Sequence, residues 1–208
     1  MRTGPPLVLL HGAGDDHRMW QPQRDGLGRR IRLILPDLPG YGRSPGPFSL
    51  DTAVDALRAL AADGPVHVCG LSAGAMVGLR WAARHPEDVA SLALSAVQLR
   101  PPRWVMTPHT AVMRLIPAKS FDGVTKQQLL RTMGELSRAD LRPDLGRVRA
   151  RTLVLCGAKD RLNQAASRAA ADGIAGAELR IVPGAGHLWN QELPELFDRT
   201  LTDWVGQA

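Results

Sequence analysis

The stretch Val66-His-Val-Cys-Gly-Leu-Ser-Ala-Gly-Ala-Met-Val-Gly-Leu-Arg-Trp-Ala-Ala-Arg84 decides how the rest of the chain is read. Val66 to Cys69 is short and apolar, the pattern of a strand buried on both faces of a parallel sheet. Ala73 to Arg84 reads as a helix, so Gly70-Leu71-Ser72-Ala73-Gly74 must turn the chain from strand to helix within a few residues. A serine at such a turn sits in a strained backbone conformation. Flanking glycines are needed where a side chain would collide with the neighbouring strand and helix. The hydroxyl then stands clear of the sheet at a helix N-terminus, where the dipole and free N–H groups favour developing negative charge. A glycine-rich chain produces these letters by chance; between a buried strand and a helix they mark Ser72 as a candidate nucleophile.

Working outward, the same alternation recurs. Strand-like runs occupy Pro6 to Leu10, Ile31 to Leu35, Val66 to Cys69, Val89 to Leu94, Thr152 to Cys156 and Glu178 to Val182. Helical stretches fall at about Asp51 to Ala62, Ala73 to Arg84, Gln164 to Ile174 and Glu192 to Val205, the first with a capping-type start at Ser49. Strands alternating with helices predict a mostly parallel sheet with helices on both faces. Residues 98–149 break the rhythm with Pro101, Pro102, Pro108, Pro117 and Pro143 and with apolar helical fragments such as Ala111 to Ile116. This segment is expected to be a helical cap inserted over one end of the sheet in a single domain of 208 residues.

A serine needs a base to attack at neutral pH, and the base needs an orienting partner. Thr152 to Cys156 runs into a loop ending at Asp160, and Ile181-Val182 into a glycine-rich loop ending at His187. The carboxyl ends of parallel strands share one edge of the sheet, so Ser72, Asp160 and His187 can converge there, in the order expected of such a constellation. The other histidines lack a supporting pattern: His11 and His67 sit at or in strands, His85 at a helix end, His17 and His109 in loops. No histidine pair has metal-ligand spacing and no Cys/His cluster exists, so no metal site is expected; no cofactor is expected either. The loop His11-Gly12-Ala13-Gly14 can aim backbone N–H groups inward. The N–H of Ala73 and that of Ala13, with Gly14 in reserve, are the expected oxyanion donors.

Bulk composition narrows the partners. The formal charge of +6 comes from scattered arginines, the only lysines being Lys119, Lys126 and Lys159, and aromatics make up only 4%. Neither a basic tail nor a base-stacking platform is present, which argues against nucleic acid. The two cysteines, Cys69 and Cys156, end apolar runs and are expected to be buried free thiols in a reducing compartment. The apolar run Leu7 to Leu10 is too short for a signal sequence or a membrane span, so a cytoplasmic protein with no membrane partner is expected.

Taken together, Leu10-His-Gly-Ala-Gly14, Asp37-Leu-Pro-Gly-Tyr-Gly-Arg-Ser44, the Ser72 turn and the Asp160 and His187 loops resemble the α/β-hydrolase superfamily, in its esterase-like branch with a helical cap. The resemblance implies Ser72 as nucleophile, His187 as base and acid, Asp160 as orienter, and Ala13 with Ala73 as oxyanion donors. In that superfamily the Asp37 to Ser44 block is a structural loop. Haloalkane dehalogenases and epoxide hydrolases of this fold carry aspartate at the turn, and the single tyrosine, Tyr41, lies outside the cap. Serine therefore points to acyl chemistry, with a small-molecule carboxylic ester as the leading substrate class. Lactonase, thioesterase, acyltransferase, carbon–carbon bond hydrolase and cofactor-free haloperoxidase share the triad, and a non-catalytic small-molecule receptor shares the fold. Trp104, Met106, Met113 and Leu115 of the cap are the candidate pocket residues. The resemblance also implies that the antiparallel strands usually preceding the His11 strand are missing or trimmed. That leaves a sheet edge that could pair with another chain, so either a monomer or a homodimer is expected.

Overall fold

A computed structural model describes residues 4–101 and 125–206. The strands are β1 (Leu7–Leu10), β2 (Leu33–Ile34), β3 (Val66–Leu71), β4 (Val89–Ser95), β5 (Arg151–Gly157) and β6 (Glu178–Val182). They form one sheet in the order β2-β1-β3-β4-β5-β6, and every pairing is parallel. The helices are α1 (Gln21–Leu27), α2 (Leu50–Leu57), α3 (Ala73–Arg84), α4 (Lys126–Arg138), α5 (Arg161–Gly173), α6 (Trp189–Glu192) and α7 (Pro194–Val205). No helix among the described residues is long and apolar enough to cross a membrane.

The period of two along a strand builds a core on each face. Val8 and Leu10 of β1 point into a cluster with Val54 and Leu57 of α2, Met76 and Leu79 of α3, and Ala170 of α5. Leu7 and Leu9 point the other way, onto Leu27 of α1 and Phe197, Leu201 and Trp204 of α7. Cys69 and Cys156 are buried free thiols in the middle of the sheet, and burial pushes the Cys156 thiol up to about 11.

The boundaries differ from expectation where tertiary contacts intervene. β2 shrinks to two residues because the Ile31 N–H donates to Leu27 O, closing the end of α1 instead of joining the ladder. The helix expected from Asp51 to Ala62 ends at Leu57 and continues as a 3-10 turn over Arg58–Ala61. Its start is as the sequence suggests: the Ser49 hydroxyl accepts from the Thr52 N–H at 3.0 Å, and the Thr52 hydroxyl accepts from the Ser49 N–H at 2.9 Å. α5 starts at Arg161, three residues earlier than expected, directly after Asp160. Within the expected cap, α4 opens on its own capping box, Thr125 with Gln128. Trp104, Met106, Met113 and Leu115 lie outside the described residues.

The Asp37 block is a structural tie. Asp37 accepts the His17 N–H at 2.8 Å, the His17 ring at 2.7 Å and the Arg43 N–H at 2.9 Å. Burial opposes its ionisation, but the donors from Arg43 and His17 outweigh it and hold the carboxyl at about 2. A folded value below the ordinary 3.8 means stability that is present above pH 4 and is lost as pH falls towards 2. Asp37→Asn should therefore cost about 2 kcal/mol at pH 7. Urea unfolding of both proteins should show the gap closing between pH 4 and pH 2; a constant gap would refute the ionic origin.

Candidate active site

Ser72 has φ 56° and ψ −113°; besides it, only Ala96 among the described non-glycine residues has positive φ. Holding a side-chain-bearing residue there costs about 1–3 kcal/mol, so the surroundings must enforce it. They do so from both sides of the turn. The Ser72 N–H donates to Ser95 O of β4 at 2.9 Å, and Ser72 O accepts the Met76 N–H of α3 at 3.1 Å. A Cβ on Gly70 would overlap the Gly74 carbonyl, and one on Gly74 would overlap the Leu10 carbonyl of β1. The glycines are thus required because α3 starts in contact with the β1 backbone, and this brings the His11–Gly14 loop against Ser72. A Cβ placed on Gly12 would lie 3.7 Å from the Ser72 Cβ.

That loop is locked by His11, which is fully buried. Its Nε2 accepts the Leu38 N–H at 2.9 Å, which leaves Nδ1 to donate to Gly12 O at 2.9 Å. Burial pushes this imidazole below its ordinary 6.5, in keeping with a neutral ring. His11 is a strut between two loops, as its place beside a strand end suggested. The Gly12 N–H is spent on the Met19 sulfur at 3.3 Å, while Ala13 and Ala73 both line the cavity over Ser72. Ala73 is the first residue of α3, where backbone N–H groups have no acceptor within the helix.

The β5 and β6 loops meet beside this turn. The Lys159 N–H donates to Ala185 O at 2.9 Å, and a Cβ on Gly157 would overlap the carbonyls of Ala185 and Gly186. The Glu192 carboxylate accepts the Gly186 N–H at 2.7 Å and closes the glycine-rich loop from below. So held, His187 Nδ1 donates to Asp160 Oδ2 at 2.7 Å. The Asp160 side chain is 6% exposed and the His187 ring 41%. Burial pushes the Asp160 carboxyl up, but hydrogen bonds from His187 and Asn163 and the nearby imidazole bring it below its ordinary 3.8. Asn163 and Gln98 were missed by sequence reasoning. Asn163 Nδ2 donates to Asp160 Oδ1 and Oδ2 at 2.9 and 2.8 Å, and Gln98 Nε2 donates to Asn163 Oδ1 at 2.7 Å. The available signal was an asparagine three residues after Asp160, at the start of a helix. Trp189 was missed too: its indole donates to the Ser95 hydroxyl at 2.9 Å, joining the His187 loop to the strand that holds Ser72.

Ser72, Asp160, His187, Ala13 and Ala73 all line one cavity of about 490 Å³, a size suited to a small molecule. Met76, Met133, Leu136, Leu162 and Leu188 give it apolar walls, and Asp15, its carboxyl raised by burial, lines it as well. Ser72 and His187 line this same cavity, and among the described residues no hydrogen bond joins them. A second hollow of about 520 Å³ lies between α1 and β2 beside Arg24, Asp25 and Arg29, with no nucleophile on its walls. Asp16, His17 and Asp37 bring ligand-type atoms within 4.8 Å of one another. Asp37 is already engaged by His17 and Arg43, and Asp16 by Arg18, so the cluster is a hydrogen-bonded tie.

The model of the alpha/beta hydrolase family matches residues 7–200. The chain belongs to the alpha/beta hydrolase family. Among its relatives, a pimeloyl-[acyl-carrier protein] methyl ester esterase of Chromobacterium violaceum is 38% identical over 66% of this chain and 57% of that protein. The chain thus spans little more than half the length of this relative. Among solved structures, the enol-lactonase of Burkholderia xenovorans superposes with a TM-score of 0.87 at 25% identity, covering 98% of this chain and 92% of that one. NosK of Streptomyces actuosus superposes with a TM-score of 0.84 at 25% identity, covering 99% of each chain.

Proposed function

We propose that this alpha/beta hydrolase cleaves a small-molecule carboxylic ester through an acyl-enzyme on Ser72. The observation that carries the reading is the strained Ser72 turn opening into the same apolar cavity as the His187–Asp160 pair. In the reaction His187 Nε2 takes the Ser72 proton as Oγ attacks the ester carbonyl, and Asp160 stabilises the imidazolium through Nδ1–H. The N–H groups of Ala13 and Ala73 receive the oxyanion. His187 then protonates the leaving alkoxide, and in the second half it deprotonates the water that releases the acid. The esterase named among the relatives and the walls of Met76, Met133 and Leu136 support an ester with an apolar acyl group. The enol-lactonase likeness favours testing lactones beside open-chain esters, since the same steps open a ring.

The test is covalent. A fluorophosphonate probe should form a single adduct, and peptide mass spectrometry should place it on Ser72. Folded protein that takes up no probe and hydrolyses neither p-nitrophenyl esters nor lactones would overturn the reading in favour of a non-catalytic receptor.

A further inference from the structure

We propose that Asn163, held by Gln98, is the positioning residue of this site: a one-way chain of amide donors holds the Asp160 carboxylate in the orientation that faces His187. The inference rests on the hydrolase reading given above. Its basis is the direction of the bonds. Asp160 is buried and, as a carboxylate, only accepts. Both of its oxygens take Asn163 Nδ2, at 2.9 and 2.8 Å, so the asparagine must present its nitrogen to the carboxylate. Its own oxygen then needs a donor, and Gln98 Nε2 supplies one at 2.7 Å. The other hydrogen of that nitrogen has a backbone acceptor, Leu162 O at 3.2 Å, which fixes the glutamine as well. The chain therefore runs without choice from Gln98 through Asn163 to Asp160, and the carboxylate is left to accept His187 Nδ1–H at 2.7 Å.

Asn163 is 5% exposed, so water is not a free substitute for its amide. Asn163 Nδ2 also stands 3.2 Å from His187 Nδ1. Because that ring nitrogen carries the proton given to Asp160, the asparagine packs against it without bonding to it, limiting how far the carboxylate can swing. Helix geometry makes this possible: Asp160 immediately precedes the first turn of α5, and a residue three positions on returns to the same side.

The test uses kcat and KM on p-nitrophenyl butyrate with wild type, Asn163→Leu and Gln98→Glu. Asn163→Leu removes the donor to Asp160. Gln98→Glu puts an acceptor where Asn163 Oδ1 needs a donor, so the asparagine turns its oxygen towards the carboxylate. Both variants should lower kcat by about ten- to a hundred-fold, with KM within about threefold of wild type. A residue that merely packed the wall would move KM, and Gln98→Met would then equal Gln98→Glu; instead Gln98→Met should be the milder change. If Asn163→Leu fails to fold, Gln98→Glu decides, since Gln98 is only half-buried. The low-field proton resonance of His187 Nδ1–H reads the same contact without turnover and should shift in both variants. An unshifted resonance, or a kcat within twofold of wild type in a folded variant, overturns the proposal. Absence of turnover in wild type with a shifted resonance would instead count against the hydrolase reading alone.

Discussion

Ser72→Ala should lower kcat on p-nitrophenyl esters by a factor on the order of 10⁵ to 10⁶ while leaving the fold as it is. The structure separates the two effects. The Ser72 hydroxyl caps no helix N–H, so its removal leaves no buried partner unsatisfied. The backbone is held by Ser95 O, by the Met76 N–H and by the contacts of Gly70 and Gly74, none of which involves Oγ. An alanine at φ 56° carries the same strain as the serine, so the melting temperature should move little. The proposed oxyanion donors, the N–H groups of Ala13 and Ala73, and the apolar walls are untouched, so substrate should still enter the cavity and KM should stay within a few-fold. The remaining rate is that of water attacking a bound, polarised carbonyl. Steady-state kinetics beside a thermal melt checks this; hydrolysis within tenfold of wild type would place the nucleophile elsewhere.

Much of this site was legible in the sequence because strand ends on a parallel sheet leave little freedom. Once Val66 to Cys69, Thr152 to Cys156 and Glu178 to Val182 read as strands, the residues after them had to lie along one edge, and the structure puts Ser72, Asp160 and His187 there. What could not be read depended on contacts between segments far apart in the chain. α1 escaped notice because Gln21-Pro-Gln-Arg-Asp-Gly-Leu27 contains Gly26, a poor helix former. In the fold that glycine faces α7, where a Cβ would run into the Asp198 carboxylate, so packing overrides propensity. Gln98 lies in the segment after β4, and nothing in its neighbours announces an acceptor on a residue 65 positions away. Asn163 was hidden by a boundary: with the helix taken to start at Gln164, it fell in a loop, whereas a start at Arg161 returns it towards Asp160. The tie from Asp37 to His17 likewise spans 20 positions.

Asp160→Asn should lower kcat by about 10⁴, and the hydrogen bonds around Asp160 show why an almost isosteric change does so much. The carboxylate accepts from three directions: His187 Nδ1–H at 2.7 Å and Asn163 Nδ2 on each oxygen, at 2.9 and 2.8 Å. An amide has one accepting end and one donating end. If it turns nitrogen to His187, the ring must offer a lone pair at Nδ1 and carry its proton on Nε2, where it can no longer take the proton of Ser72. If it turns oxygen to His187, its nitrogen confronts the Asn163 nitrogen. Relieving that clash by flipping Asn163 sets two donors against each other at Gln98. Either arrangement also loses the negative charge that stabilises the imidazolium formed during attack. Because the folded Asp160 value lies below 3.8, its contribution to stability is present at neutral pH and lost as pH falls through that folded value. The variant should therefore be less stable than wild type at pH 7, with the difference shrinking in acid, while KM changes only a few-fold. Kinetics at pH 7 and urea unfolding at pH 7 and pH 3 measure both; a kcat within tenfold of wild type would show that another group orients His187.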